Sequence, residues 1–495
     1  MSYSGQTALV LGLGESGLAM ARWLAFRGAR LRIADTRTAP ERLPQLLHEV
    51  PDAEFIATEF TPELLDGVNF IALSPGLSPL KELREILPAA QAAGIPLWGE
   101  VELFAQALTA LKEAQAYQPR VLAITGTNGK TTVTSLTGLL CQRAGLSTRV
   151  AGNISPAMLD VLREDLLRQT LPEVWVLELS SFQLHSCVSL QADAATVLNL
   201  SQDHLDWHGE MSAYAADKAK IFGPATRQVL NRDDALVAAM AKPGLSQFYF
   251  SSSAPQHAGD FGLLNEHDMQ WLAYAEAEEV EGGGRRRKNQ PEAEAQVKRL
   301  MPVDALQIRG QHNALNALAA LALCRAIAIP FAHLLHGLRQ YQGEAHRVEV
   351  IATVAGIEFI DDSKGTNVGA TVAALKGLGQ GQHVQKIVLI AGGEGKGQDF
   401  SPLSDPLARY VKHVCLIGKA SDELAAIAKV AGVSFHQSAS LTEAVQDAVS
   451  HATSGDMVLL SPACASLDMF RNYAHRAEVF AAAVRDYALD QGEVS

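Results

Sequence analysis

The sequence predicts an α/β protein of three domains, and two observations carry that expectation. A short β-branched run, a glycine turn and an Ala/Leu-rich helical stretch recur in the same order. They stand at TALVLGLGESGLAMARWLAFRG from Thr7, RVLAITGTNGKTTVTSLTGLLCQRAG from Arg120 and KIVLIAGGEGKGQDFSPLSDPLARYV from Lys386. Buried apolar strands alternating with helices form parallel sheets with helices on their faces. The length, 495 residues, also makes about three domains at roughly 100–200 residues each. No short-period repeat runs through the chain, so a solenoid is excluded.

The stretch IPLWGEVELF around Gly99 closes the first unit and YQGEAHRVEV around Gly343 opens the third, dividing the chain at 1–98, 99–343 and 344–495. Between Ser251 and Met301 an irregular stretch contains AEAEEVEGGGRRRKNQPEAEA. Its acidic run, glycine triplet and basic cluster read as a solvated loop or hairpin insertion, and no function is assigned to it.

Composition removes several classes. Hydrophobic residues are 48% of the chain and charged residues 19%, enough for several cores and outside the disordered class. No apolar run reaches the roughly 18 residues of a membrane span, and MSYSGQTALVLGLG lacks the regions of a secretory signal. Cys141, Cys187, Cys324, Cys415 and Cys464 are scattered and mostly set in apolar runs. That reads as reduced packing cysteines of a cytoplasmic protein, not a disulfide or zinc framework. Lys and Arg total 41 against 54 Asp and Glu, a formal net charge of −13. Nucleic acid is therefore not an expected partner, and anionic ligands must be met by a few well-placed cations.

The first glycine motif, Gly12-Leu13-Gly14-Glu15-Ser16-Gly17, follows an apolar strand and opens a helix; the strand LRIAD then ends at Asp35. Glycines let the backbone approach a diphosphate, the helix N-terminus aligns N–H donors, and Asp35 can accept from a ribose hydroxyl. The first unit is accordingly Rossmann-like, with NAD and other nucleotides left open. The second motif runs Thr125-Gly126-Thr127-Asn128-Gly129-Lys130-Thr131-Thr132, between the strand VLAIT and the helix TTVTSLTGLL. Backbone N–H groups, a Lys and a following hydroxyl suit a Mg-bound nucleoside triphosphate, so the central unit is P-loop ATPase-type. The outer glycine of a full P-loop is replaced by Ile124. Downstream, Glu178 and Ser180 in WVLELSSFQL and Asp203, His204 and Asp206 in TVLNLSQDHLDWHG follow apolar strands. Strand C-terminal ends line the ligand crevice of a parallel sheet, so these groups are expected near the phosphate loop, positioning magnesium and substrate. Lys218 in MSAYAADKAKIF reads on its own as a solvated helix lysine.

Taken together these residues resemble the Mur ligase family, ATP-dependent enzymes that join an amino acid to a peptidoglycan precursor. TGTNGKTT, Asn153 in AGNIS, ELSSFQL, DHLD, YAADKAKIF and GQHNALNALAA occur in the family's order, followed by HRVE, DDSKGTN, GGEGKG and SPACASLDMFRNY. Within the family, Asp362-Ser363-Lys364-Gly365-Thr366-Asn367 and the run Asp35-Thr36-Arg37 are similar to the members that add D-glutamate to UDP-N-acetylmuramoyl-L-alanine. A ligase adding L-glutamate or another amino acid is the alternative within the class, and an NAD-dependent oxidoreductase the alternative outside it.

The resemblance implies a UDP-sugar on the first unit, meeting Gly14, Glu15, Ser16, Asp35, Thr36, Arg37, Ser74 and Gly76, with Asn153 and Ser180 on the muramoyl-alanine side. It implies ATP on Gly126, Thr127, Asn128, Gly129, Lys130, Thr131 and Thr132, with Asn313 and Asn316 near adenine and Arg347 and Asp362 arriving from the third unit. Two magnesium ions are implied, one on Thr131 and Glu178 and one on His204 and Lys218, with Lys218 carbamylated. Lys130, Glu178, His204 and Lys218 are then the catalytic group. D-glutamate would meet His204, Lys364, Thr366, Lys396, Ser466, Leu467 and Tyr473 on a Rossmann-like third unit. The chain would work as a cytoplasmic monomer on small-molecule substrates.

Overall fold

A computed structural model describes residues 2–277, 295–379 and 387–493. Three separate sheets follow one another along the chain. The first holds β1 (Thr7–Leu11), β2 (Arg30–Asp35), β3 (Glu54–Ala57), β4 (Phe70–Leu73) and β5 (Leu97–Gly99), all parallel in the order β3-β2-β1-β4-β5. That is the Rossmann strand order without its sixth strand, as the glycine motif predicts. The second sheet is built of β6 (Arg120–Thr125), β7 (Thr148–Gly152), β8 (Val174–Glu178), β9 (Ala194–Val197), β10 (Arg227–Asn231), β11 (Gln247–Phe250), β12 (Phe261–Glu266), β13 (Met269–Ala277) and β14 (Ala295–Pro302). Its order is β14-β13-β12-β11-β10-β9-β6-β8-β7. The third comprises β15 (Glu349–Val354), β16 (Ile357–Asp361), β17 (Ile387–Gly392), β18 (Val411–Ile417), β19 (Ser434–Gln437) and β20 (Met457–Leu460), in the order β15-β16-β20-β17-β18-β19.

Two expectations need correction. The sheets are not wholly parallel: β12 to β14 pair antiparallel at one edge of the second, and β15 pairs antiparallel with β16 in the third. The stretch from Ser251 is also not irregular: of the loop and hairpin readings the hairpin holds, β13 pairing antiparallel with β14. Phe261, Leu263, Leu272 and Met301 are buried, so β12 to β14 extend the central core. Part of its acidic run, the glycine triplet and the basic cluster lie outside the described residues.

Burial follows composition. The helix Gln311–Ala326 (QHNALNALAALALCRA) is apolar almost all round, and Leu318, Leu321 and Leu323 are fully buried between the second sheet and the helix Lys130–Arg143. Each such leucine contributes about 1.5–3 kcal/mol, so this helix is a fixed wall beside the phosphate loop. None of the described helices is long and apolar enough to cross a membrane.

At the junction of the first two units, Glu100 opens the helix Glu100–Gln115 and is 1% exposed, its carboxylate accepting from the Leu159 amide at 3.3 Å. Burial pushes its pKa from 4.5 up to about 7 against hydrogen bonds from Ser16 and Leu159. Between those values the folded chain holds a proton the unfolded chain has lost. Stability therefore falls as pH rises through that window, and the cost is complete above it. Glu100→Gln is expected to raise the denaturation midpoint at pH 8 and to flatten its pH dependence across the same window, read by denaturant titration at several pH values.

Candidate active site

β6 ends at Thr125, the loop turns through Gly126 to Gly129, and the helix Lys130–Arg143 begins. Gly129 has φ +82°, and a Cβ there would stand 2.6 Å from Asn316 Oδ1, so the residue must be glycine. Asn199 fixes the loop from outside, accepting from the Asn128 amide at 2.8 Å and the Thr127 amide at 2.9 Å. Lys130 Nζ curls back to donate to the Gly126 and Thr127 carbonyls at 2.9 and 2.8 Å. Burial lowers its pKa, with the Glu178 carboxylate opposing.

Glu178, 2% exposed, ends β8 beside this loop; its Oε1 accepts from Asn153 Nδ2 at 2.9 Å. Its Oε2 is buried without a hydrogen-bond partner. A buried carboxylate oxygen of this kind, on an element adjoining the Thr131 hydroxyl, fits a hard divalent cation that takes oxygen ligands. Lys218 is 1% exposed, not solvated as its sequence context alone suggests, and donates to Gly126 O at 2.8 Å and Thr125 Oγ1 at 3.1 Å. Burial brings its pKa well below the usual lysine value, and the charge of Lys130 pushes the same way. His204 has φ +55° and packs edge-on against Phe182 with ring centroids 4.7 Å apart. Its pKa is lowered, first by burial and then by Lys396, Lys130 and Lys218, with Asp203 opposing. These four groups, from separate elements, therefore share one electrostatic neighbourhood.

Sequence reasoning missed the group that sets Lys218. Asp217 Oδ2 lies 2.8 Å from His185 Nδ1 and 3.2 Å from His208 Nδ1, and Asp217 Oδ1 takes Lys220 Nζ at 2.8 Å. Burial opposes ionisation of Asp217, but these bonds outweigh it and hold the carboxyl below the usual range. Asp217 thereby anchors the helix Met211–Ala219 that carries Lys218. Only the acid beside the lysine hinted at it in sequence.

The third unit closes over the loop. Asn128 and Asn367 exchange side-chain hydrogen bonds at 3.1 and 3.0 Å, and Arg347 donates to Thr131 Oγ1 at 2.8 Å. Arg347 Nε is buried without a partner. Beside it a cavity of about 300 Å³ is lined by Gly129, Thr132, Asn313, Asn316, Arg347 and Asp362, among others. Asn316 Nδ2 donates to Asn313 Oδ1 at 3.1 Å, so both amides present to the cavity from one helix face. Burial raises Asp362 to about 7, against a 2.7 Å hydrogen bond from Ser461. Arg347→Ala, removing a charge-assisted donor of about 1.5–3 kcal/mol, is expected to lower kcat/KM for ATP by about 10- to 100-fold in steady-state assays.

Nearby, Lys364 Nζ stands 5.2 Å from the Tyr473 ring centroid. Burial lowers its pKa to about 8, with Arg347 adding to the effect and Glu178 opposing. The segment is braced by Arg476, fully buried, which donates to Ser363 O at 2.7 Å and Cys464 O at 3.2 Å; this brace was not foreseen. Lys396 sits at φ +51°, within electrostatic reach of His204. The Thr366 amide donates to Lys364 O at 2.9 Å, Ser466 is buried, and Leu467 is 64% exposed.

On the first unit Gly17 is required by packing, since a Cβ there would meet Gly12 O at 2.0 Å. Ser74 Oγ donates to Gly12 O at 2.7 Å, while Thr36 and Gly76 are exposed. Both Asp35 oxygens are used by the Leu13 amide and by Arg37 through its amide, Nε and Nη2, at 2.7 to 2.9 Å. Burial opposes ionisation, but these bonds hold Asp35 at about 2. With its acceptor positions filled, Asp35 presents Arg37 rather than an open ribose acceptor. The loop after β7 joins this site to the phosphate loop: Asn153 binds Glu178, and Ser155 donates to Glu15 at 2.5 Å. Ser180, expected on the sugar side, caps the helix Ser181–His185 through Gln183.

A nucleotide crevice walled by the second and third sheets, beside a Rossmann-like first unit, defines a multidomain nucleotide-dependent enzyme, and the comparisons give its family. Residues 6–99 match the profile described as Mur ligase MurD-like, N-terminal domain, 124–324 the Mur ligase middle domain, and 346–464 the Mur ligase, glutamate ligase domain. The chain belongs to the Mur ligase family. Among its relatives, the UDP-N-acetylmuramoylalanine–D-glutamate ligases of Cupriavidus pinatubonensis and Ralstonia nicotianae are each 58% identical, covering 98% of this chain and 97% of theirs. That of Burkholderia thailandensis is 57% identical with the same coverage. The fold is also that of the solved MurF ligase of Thermotoga maritima, with a TM-score of 0.58 at 15% identity over 98% of this chain and 96% of that one. For the UDP-N-acetylmuramate-alanine ligase MurC of the same organism the values are 0.57, 17%, 97% and 99%.

Proposed function

We propose that the protein is an ATP-dependent ligase adding D-glutamate to UDP-N-acetylmuramoyl-L-alanine, releasing ADP and phosphate, in peptidoglycan precursor synthesis. The observation that carries this reading is the meeting of Lys130, Glu178 and Lys218 from the second unit with Arg347 and Lys364 from the third around one buried loop. The named activity of relatives at 57–58% identity supports the choice of substrates.

An amide bond needs an activated carboxyl. The alanyl carboxylate attacks the γ-phosphorus of ATP, the bond to ADP breaks, and an acyl phosphate forms. The glutamate amine then adds to its carbonyl, and the tetrahedral intermediate expels phosphate. Both steps gather negative charge on oxygen, so the chain's main contribution is fixed positive charge: Lys130 and Arg347 on the phosphates, Lys364 and Lys396 on the incoming amino acid. Magnesium, held by Thr131 and Glu178 and at a second position by His204 and carbamylated Lys218, would neutralise the two reacting anions. Asn313, Asn316 and Asp362 hold the nucleoside end. Gly14, Glu15, Ser16, Arg37, Ser74, Asn153 and Ser180 hold the UDP-sugar. His204, lowered by burial, is suited to position the acyl phosphate or to take a proton from the amine. The reaction belongs to the cytoplasm, with the chain acting as a monomer.

Phosphate release with UDP-N-acetylmuramoyl-L-alanine and ATP tests the reading across D-glutamate, L-glutamate, a diamino acid and L-alanine. Release with D-glutamate alone is expected, and release with L-glutamate or another amino acid in its place overturns it.

A further inference from the structure

A second group of metal-binding side chains lies on the third sheet, away from the phosphate crevice. His413 and Cys415 are two apart on β18 and so face the same way. The helix Leu441–His451 packs on that strand and presents Asp447 and His451, four apart on one helix face. The donor atoms of His413, Cys415 and Asp447 all lie within 4.8 Å of one another. His413 Nε2 is 3.1 Å from Asp447 Oδ2, while His451 Nδ1 is held by the Asp447 carbonyl at 3.0 Å. Bonds of about 2.0–2.3 Å to a tetrahedral ion place neighbouring ligand atoms about 3.3–3.6 Å apart, close to the His413–Asp447 separation.

We propose that His413, Cys415 and Asp447 form a binding site for a zinc-class divalent ion that ties β18 to the helix Leu441–His451.

Three features support it. Ser434 Oγ lies 2.8 Å from His413 Nδ1 and so leaves Nε2 facing the cluster, the outer-shell arrangement that orients a ligating imidazole. The donor set of sulfur, nitrogen and a single carboxylate favours zinc over magnesium or calcium, which prefer oxygen alone. An entry path exists, because the His451 side chain is 43% exposed above the buried His413 and Cys415. The His413 and His451 rings stack 3.7 Å apart at 5°, so His451 covers the cluster rather than sharing its ion. On binding, the Cys415 S–H bond breaks, its proton goes to solvent, and the sulfur–metal bond forms. One thiolate and one carboxylate then balance the 2+ charge, so no net charge is buried. The assignment revises the sequence reading of Cys415 as a packing residue.

The site is remote from catalysis: His413 lies near the start of β18, whereas Lys396 follows the far end of the neighbouring parallel strand β17. Cobalt(II) titration of the full-length protein, followed by absorption, tests the proposal. A thiolate-to-cobalt charge-transfer band saturating at one equivalent is expected. It reports sulfur specifically, and so ignores cobalt bound in magnesium's place. The band should vanish in Cys415→Ser, and Asp447→Asn should need at least about tenfold more cobalt, both variants keeping the phosphate-release rate of the parent. Zinc should raise the thermal midpoint of the parent but not that of Cys415→Ser. No band in the parent protein, or a band that survives in Cys415→Ser, overturns the proposal.

Discussion

Lys130→Ala is expected to lower the rate of ATP-dependent phosphate release by about 10²–10³, the usual cost of removing one fixed stabiliser of developing charge. Folding should not suffer. Lys130 is a buried cation whose pKa is already lowered by desolvation and, against the pull of Glu178, by Arg347. Losing it relieves repulsion with Arg347 and Lys218 while giving up two hydrogen bonds to loop carbonyls. A thermal midpoint within a few degrees of the parent, together with the lost rate in a phosphate-release assay, separates a catalytic from a structural role.

The second large effect is expected at Lys218. Burial holds its amine neutral far more readily than that of a surface lysine, and a neutral amine can add carbon dioxide to give a carbamate and a proton. The product replaces a donor with a carboxylate able to share a cation with His204. Lys218→Ala should lose about 10²-fold or more in rate, and Lys218→Arg should not restore it, since a guanidinium cannot carry the carbamate. In ¹³C-bicarbonate buffer the parent should show a carbamate carbon resonance absent from both variants. Full activity of Lys218→Arg would contradict the assignment. Asp217, held by His185, His208 and Lys220, positions that lysine.

The contiguous parts of the site were legible in the sequence. The phosphate loop could be read because its strand, glycines, lysine and hydroxyl lie within a few residues, and each has a local physical reason. The first glycine loop was legible for the same cause, although Asp35 is committed to Leu13 and Arg37 instead of standing open. Contacts between distant elements were not legible from period or spacing; only the family resemblance implied that Arg347 arrives from the third unit. The Asn128–Asn367 exchange, the Arg347–Thr131 bond and the Arg476 brace join residues separated by 239, 216 and 113 positions, and no period or spacing encodes such pairs. Lys218 shows the limit most clearly: its own neighbours suggest a wet helix face, and the structure buries it at 1% exposure. Strands β12 to β14 escaped because β13 and β14 mix buried and exposed residues beside a run of charge, which masked their alternation.

Net charge also takes on a meaning it lacked at the start. Every proposed substrate is an anion, while the chain itself carries −13, so long-range attraction cannot draw them in. Local devices must do so: two glycine loops at helix N-termini and the cations Arg37, Lys130, Arg347, Lys364 and Lys396.

In the proposed reaction the carboxyl is activated by direct attack on ATP. The direct measurement uses UDP-N-acetylmuramoyl-L-alanine labelled with ¹⁸O in the alanyl carboxylate and follows the oxygen through one turnover in the presence of D-glutamate. Transfer of one labelled oxygen to the released phosphate is predicted, because the acyl phosphate breaks at its carbon–oxygen bond. Unlabelled phosphate, or label found in ADP, would contradict the account.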